Sequence, residues 1–281
     1  MYYRSIGVFA GLGKRLQWPD PYFTLYGELG YQRYSLRGWN SFILSDGVAN
    51  TLSLKLVLQR SSVDAPFFSR SGSEFSVSVQ ATPPFSLWDG KNYADPNLSD
   101  QDRYRWIEFH KWILKGRWFF PLTRNQNLVL MLGAEMGYLG NYNKDKVSPF
   151  ERFEIGGDGM TGYNIYGVDI IALRGYDDGA LDPSNYYSVA YNKYVMELRY
   201  PVVLRPNSSI YVLGFLEGGS GFNSWEEFSP FKIKRSAGVG VRLFLPVVGM
   251  LGIDWGWGFD PAYGRTERSG SQFHFVLGQQ F

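Results

Sequence analysis

Ile253-Asp254-Trp255-Gly256-Trp257-Gly258-Phe259-Asp260 alternates a large apolar residue with a small or acidic one at every step. Successive side chains of an extended chain point to opposite faces, so this stretch is a strand with one broad apolar face and one narrow polar face. The same period recurs outward in both directions. Leu52, Leu54, Leu56 and Leu58 alternate with Ser53, Lys55 and Gln59; Phe75, Val77 and Val79 with Glu74, Ser76, Ser78 and Gln80; Trp112, Leu114, Trp118 and Phe120 with Lys111, Lys115 and Arg117. Helical periodicity is nearly absent, and the class is all-β. The alternation predicts about eleven strands, over 4–17, 22–37, 50–62, 73–87, 104–121, 127–141, 188–204, 208–222, 232–246, 249–259 and 270–281.

A soluble sandwich gives the same period. What separates it from a membrane barrel is which face is wet, because in a barrel the apolar face meets lipid and the polar face lines the lumen. Composition favours the membrane. The chain of 281 residues holds 20 Tyr, 21 Phe and 9 Trp, an aromatic share of 18%. Rings with a polar edge settle at the headgroup level, where barrels carry girdles of them. No apolar run reaches the length of a spanning helix, so any span must be β. Connections alternate in length: Arg124-Asn125-Gln126 and Arg205-Pro206-Asn207 are tight, whereas Trp88 to Arg103 and Lys144 to Tyr187 are long. Short turns and long loops mark the periplasmic and extracellular rims of such a barrel.

Charge and cysteine usage exclude other classes. Net charge is +2 with no dense run of Lys and Arg, which argues against a nucleic-acid partner. With no Cys there is neither a disulfide frame nor a thiolate metal site. His110 and His274 are the two histidines, and no catalytic Ser or His constellation accompanies them, so no enzyme is expected. Asp177, Asp178 and Asp182 offer hard oxygens for calcium, but their spacing is not that of an EF-hand and a solvated loop is the better reading. Gly156-Gly157-Asp158-Gly159 lacks the Lys and Ser/Thr of a phosphate loop. No metal and no cofactor are expected.

Four further stretches carry identity. Phe150-Glu151-Arg152-Phe153 and Gly156-Gly157-Asp158-Gly159 lead to Leu173-Arg174-Gly175-Tyr176 inside the long insertion 143–185. Glu197 in Tyr194-Val195-Met196-Glu197-Leu198-Arg199 falls on the polar parity of its strand, between Met196 and Leu198. Glu217 is followed by Gly218-Gly219. Last, Phe273, Phe275, Leu277 and Phe281 share one face of the terminal strand, with His274 on the other.

Together these stretches resemble the BamA-like outer-membrane protein assembly factors of the bacterial surface antigen superfamily, and their wording looks closest to versions from the Bacteroidota. The resemblance is specific from about Phe150 to Phe281 and implies an Arg-Gly-aromatic loop tip folded into the barrel. It makes Arg174, Gly175 and Tyr176 a lock, with Glu197 and Glu217 as lumenal acidic partners, since a guanidinium in a buried place calls for carboxylates. Where the family more often has Asp, this chain has Glu217. Phe273, Phe275, Leu277 and Phe281 then resemble the C-terminal strand signal of outer-membrane barrels, an edge recognised by strand addition.

The family implies a transmembrane antiparallel β-barrel of sixteen strands behind periplasmic domains, of which 1–281 holds the last eleven or so. An odd count and the absence of a signal peptide at Met1 to Gly7 lead us to expect that strands and periplasmic domains are missing from the N-terminal side. The function implied is assembly and insertion of β-barrel proteins in the outer membrane of a Gram-negative bacterium, by strand pairing at a barrel seam. Its partners would be the lipid bilayer and lipopolysaccharide, unfolded outer-membrane protein clients and accessory assembly lipoproteins. A protein-translocating relative of the superfamily and a passive porin or uptake barrel are the alternatives.

Overall fold

A computed structural model describes residues 1–38, 43–160, 167–183, 188–205, 208–246 and 249–278. Eleven strands pair in one sheet, in the order β1 (Tyr2–Arg15), β2 (Phe23–Arg37), β3 (Gly47–Ser61), β4 (Gly72–Ala81), β5 (His110–Pro121), β6 (Val129–Gly140), β9 (Ala190–Arg205), β10 (Ser208–Phe222), β11 (Lys234–Leu245), β12 (Gly249–Pro261) and β13 (Arg268–Leu277). Neighbours in the sheet follow one another along the chain apart from a single insertion between β6 and β9. Such a meander needs only hairpin connections, which is why the period-2 pattern runs almost unbroken.

The differences from the expected elements have local causes. The strand anticipated over 73–87 stops at Ala81, because Pro83 and Pro84 cannot donate to a ladder, and a 3₁₀ turn, Phe85–Leu87, follows. The strand anticipated over 104–121 begins only at His110. Before it, Asp100–Arg103 forms one helical turn whose Ser99 cap accepts from the Asp102 amide, and Trp106 makes an isolated parallel bridge to Asn50. The insertion 143–185, in which no strand was assigned from the alternation, holds a parallel pair, β7 (Arg152–Ile155) and β8 (Val168–Ile171).

The chain forms two compact units, 1–59 with 76–113 and 138–151, and 60–75 with 114–137 and 152–281. They interleave, so no single cut in the sequence separates them. In the first, Leu25, Leu29, Leu54, Leu56 and Trp112 are exposed while Thr51, Ser53, Glu108 and Lys111 are buried. Lys111 pairs with Glu151, and buried Lys146 with Glu108 at 3.4 Å.

In the second unit the inversion is sharper. Met196, Leu198, Val239, Val241, Ile253, Trp255 and Trp257 are bare, whereas Glu197, Glu217, Arg242, Asp254 and His274 are buried. On β13 the contrast falls between adjacent residues: Phe273 is 69% exposed, His274 4% and Phe275 57%. A water-soluble sheet covers its apolar face; this one covers its polar face and leaves the apolar one bare, the polarity that a bilayer requires.

Candidate functional site: an ion-paired loop tip

From Arg152 on, the insertion is stitched into the second unit by main-chain bonds. Phe153 and Ser188 exchange amide bonds at 3.0 and 3.1 Å, Gly221 donates to the Leu181 carbonyl at 3.0 Å, and Tyr263 donates to Ala180 at 3.1 Å. Gly156 and Gly157, at φ +134° and +70°, lie directly under the Asp177-Asp178 turn, where a Cβ would fall 2.2 Å from the Asp177 carbonyl and 1.6 Å from Asp178 Oδ1. Asp182 is turned into this base, its carboxylate accepting from the Ile155 amide and from Ser188 Oγ. Burial pushes its pKa from 3.8 up to about 7, against the hydrogen bonds that stabilise the anion. Asp177 is exposed and lies 3.6 Å from Arg265, so the three aspartates do not converge.

So held, the chain delivers Arg174 to the polar face. Its amide donates to Glu217 Oε2 at 2.8 Å, and its Nε and Nη2 donate to Glu217 Oε1 at 3.0 and 2.6 Å. Nη2 also reaches Glu197 Oε1 at 2.6 Å, and Nη1 reaches Asp254 Oδ2 at 3.3 Å. One guanidinium face is used too, since Arg174 Cζ stands 3.7 Å from the centroid of the Phe215 ring. Burial disfavours the charge of Arg174, but the carboxylates of Glu217, Glu197 and Asp254 outweigh it and raise its pKa.

Two more arginines complete the network. Arg199 donates from Nε to Glu197 Oε2 at 2.7 Å, and Arg242 grips Asp254 with two parallel bonds of 2.7 and 2.6 Å. Three guanidinium groups thus meet three carboxylates, and the buried cluster is neutral as a whole, the condition under which such charges are tolerated away from water.

Gly175 explains the small residues of β12. At φ +88° it lies so close to the sheet that a Cβ there would meet Ser236 Cβ at 2.8 Å and the Gly258 amide nitrogen at 3.0 Å. In turn a Cβ on Gly256 would fall 2.8 Å from the Gly175 nitrogen, and one on Gly258 2.4 Å from its carbonyl oxygen. The Gly175 amide donates to His274 Nε2 at 2.8 Å, which requires that nitrogen to carry a lone pair. Tyr176 is buried and its hydroxyl donates to the Arg235 carbonyl at 2.7 Å.

The structure therefore brings together Arg174, Gly175, Tyr176, Glu197 and Glu217, and adds Asp254, Arg199, Arg242, Phe215 and His274, which sequence reasoning had not placed with them. The signal for Asp254 was its polar parity in the opening stretch. Its partner Arg242 depends on the register that sets Gly240 opposite Asp254, which alternation does not encode. Phe273, Phe275 and Leu277 stand apart from this cluster, on the bare face of β13; Phe281 lies outside the described residues.

With this geometry in view, the likeness to known proteins is specific. Residues 3–281 match the Omp85 superfamily domain. Over 69 residues, 25% of this chain and 7% of the relative, the sequence is 41% identical to the outer membrane protein assembly factor BamA of Neisseria meningitidis serogroup B. The crystal structure of BamA from Haemophilus ducreyi lacking POTRA domains 1-3 superposes with a TM-score of 0.67 at 15% identity, over 98% of this chain and 54% of that one. CdiB from Escherichia coli follows with a TM-score of 0.55 at 14% identity, over 97% of this chain and 45% of that one. The chain spans about half the length of these solved structures and a small part of the curated relative. At these identities the structures speak for the fold, an antiparallel β-barrel of the outer-membrane type.

Proposed function

Because the chain belongs to the Omp85 superfamily, whose domain matches residues 3–281, we propose that it serves the assembly and insertion of β-barrel proteins into the outer membrane. The observation that carries this reading is the seat of Arg174 among Glu217, Glu197 and Asp254, with Gly175 pressed on the β12 glycines. A barrel that must stay assembled while its edge strands exchange partners needs a loop anchored so heavily inside its wall. The local identity to a BamA supports the same choice.

In the mechanism, β-strand addition does the work. A client's terminal strand pairs with an exposed edge of the barrel, satisfying its backbone groups before it faces lipid, where each unpaired group costs several kcal/mol. No covalent bond is made or broken. Arg174 holds the loop against β9, β10 and β12, so that the wall keeps its register while the seam opens. Phe273, Phe275 and Leu277 present an apolar outer face on β13. Clients, accessory lipoproteins, and lipopolysaccharide around the outer face are the partners this role would need.

The test is Arg174→Glu in the full-length protein, supplied to cells in which the native copy is depleted. Levels of folded outer-membrane barrels should fall at least as far as in the depleted cells. Normal levels with a correctly localised variant would overturn the role of the tip. If barrel levels hold and one secreted protein disappears instead, the chain is a translocating member of the superfamily.

A further inference from the structure

The connection between β3 and β4 is built differently from its neighbours on the same rim. In the second unit β5 and β6 are joined by seven residues, 122–128, on the rim expected to be periplasmic. Between Ser61 and Gly72 the chain instead spends ten residues, 62–71. They are not a slack loop. Asp64 Oδ1 accepts from the amides of Arg70 and Ser71 at 2.8 and 3.1 Å, and Ser69 Oγ donates to the Ala65 carbonyl at 2.7 Å, so the turn is braced from within.

The brace turns Pro66-Phe67-Phe68 back onto the covered face of the sheet. Phe67 stacks on Phe244, ring centroids 3.5 Å apart, and Phe68 packs on Tyr211 at 5.2 Å. Around them Phe119, Met131, Leu213 and Met250 make an apolar cluster on the very face that elsewhere carries the charges. Rings at a barrel rim ordinarily reach outward to the headgroups; Phe68 is 4% exposed. Between this cluster and the Arg174 tip lies a cavity of about 400 Å³, walled by charged groups that include Lys115, Glu135 and Lys193. Such a space holds water, and an apolar constriction at its end stops water and ions by dewetting.

We infer that residues 62–71 form a plug, with Phe67 and Phe68 as its sealing side chains, that closes the periplasmic end of the inner cavity to water and solutes. This seal is separate from the loop tip and does not depend on the assembly role. It needs only that the polar face lines a lumen in the outer membrane.

The experiment is planar-bilayer conductance of the full-length protein, with heat-shifted gel mobility as the check on folding. The Phe67→Ser/Phe68→Ser variant should lose its closed level and conduct steadily, and cells carrying it should admit a bulky antibiotic normally excluded. Phe67→Leu/Phe68→Leu, which keeps the floor apolar, should stay closed. A folded serine variant that remains closed overturns the inference. Should the serine pair not fold, Asp64→Ala loosens the brace while leaving the floor side chains intact; steady conductance supports the plug, and an unchanged closed state refutes it. Client barrel levels keep the two readings apart. They should be normal in plug variants, and a fall in clients without conductance would assign the turn to assembly and sink the seal.

Discussion

At the scale of the residue, Gly175 is the most demanding position of the site. Its φ of +88° disfavours any side chain, and beside Ser236 Cβ at 2.8 Å a new Cβ would meet main-chain atoms of Gly258 and Trp257 at 3.0 and 3.1 Å, which cannot rotate aside. Gly175→Ala should therefore lift the tip, at a cost of about 1–3 kcal/mol from the backbone alone. Tyr176→Phe removes only the bond to the Arg235 carbonyl, about 1 kcal/mol. Hydrogen exchange at the Gly157 amide, which donates to the Tyr176 carbonyl, reports the docking. Exchange faster in Tyr176→Phe than in Gly175→Ala would refute the close-approach argument. The sequence shows at this scale which face a residue takes, because parity is local. That Trp255 and Trp257 alternate with Gly256 and Gly258 announced a strand; that the glycines are a seat for another segment's backbone is long-range, and nothing between 253 and 260 states it.

At the scale of the element, the strands of the meander were legible and those inside the inserted loop were not. A strand repeats its signal every second residue, whereas β7 and β8 are four residues each and pair in parallel across the insertion, too short for a period to register. The loop's base has a pH dependence of its own through Asp182. Its pKa is raised from 3.8 to about 7 in the folded state, so the folded loop binds the proton more tightly than the unfolded one. The stabilisation is complete below about pH 4, declines as pH rises towards 7 and is gone above it, up to about 4 kcal/mol in all. Protection factors at the Leu181 and Gly221 amides, which link the base to Ile155 and β10, should fall over that window. In Asp182→Asn they should be flat, because no proton is exchanged. A protection that climbs from pH 4 to 7 would contradict a carboxyl kept protonated by burial.

At the scale of the molecule, the polarity of the fold is what composition conceals. Half of every strand is polar, so the hydrophobic share is only 44% and mean hydropathy is −0.22, although the chain is built for lipid. No described helix is long and apolar enough to cross a membrane, a criterion that does not bear on strands. The bare apolar face makes a prediction that a soluble sheet reverses. Leu198 stands near the middle of β9 and Leu204 at its end, exposed by 44% and 36%. In water, arginine at either exposed site would change stability by no more than about 0.5 kcal/mol. In a bilayer the cost depends on depth, about 2–4 kcal/mol at the midplane and about 0–1 kcal/mol near the interface. Urea unfolding of the protein in lipid vesicles should thus find Leu198→Arg markedly destabilised and Leu204→Arg nearly neutral. Two neutral variants would mean that β9 does not face lipid. The gradient follows from solvent rather than from contacts, because both leucines lie on the bare face and what differs between them is the depth at which a guanidinium must be solvated.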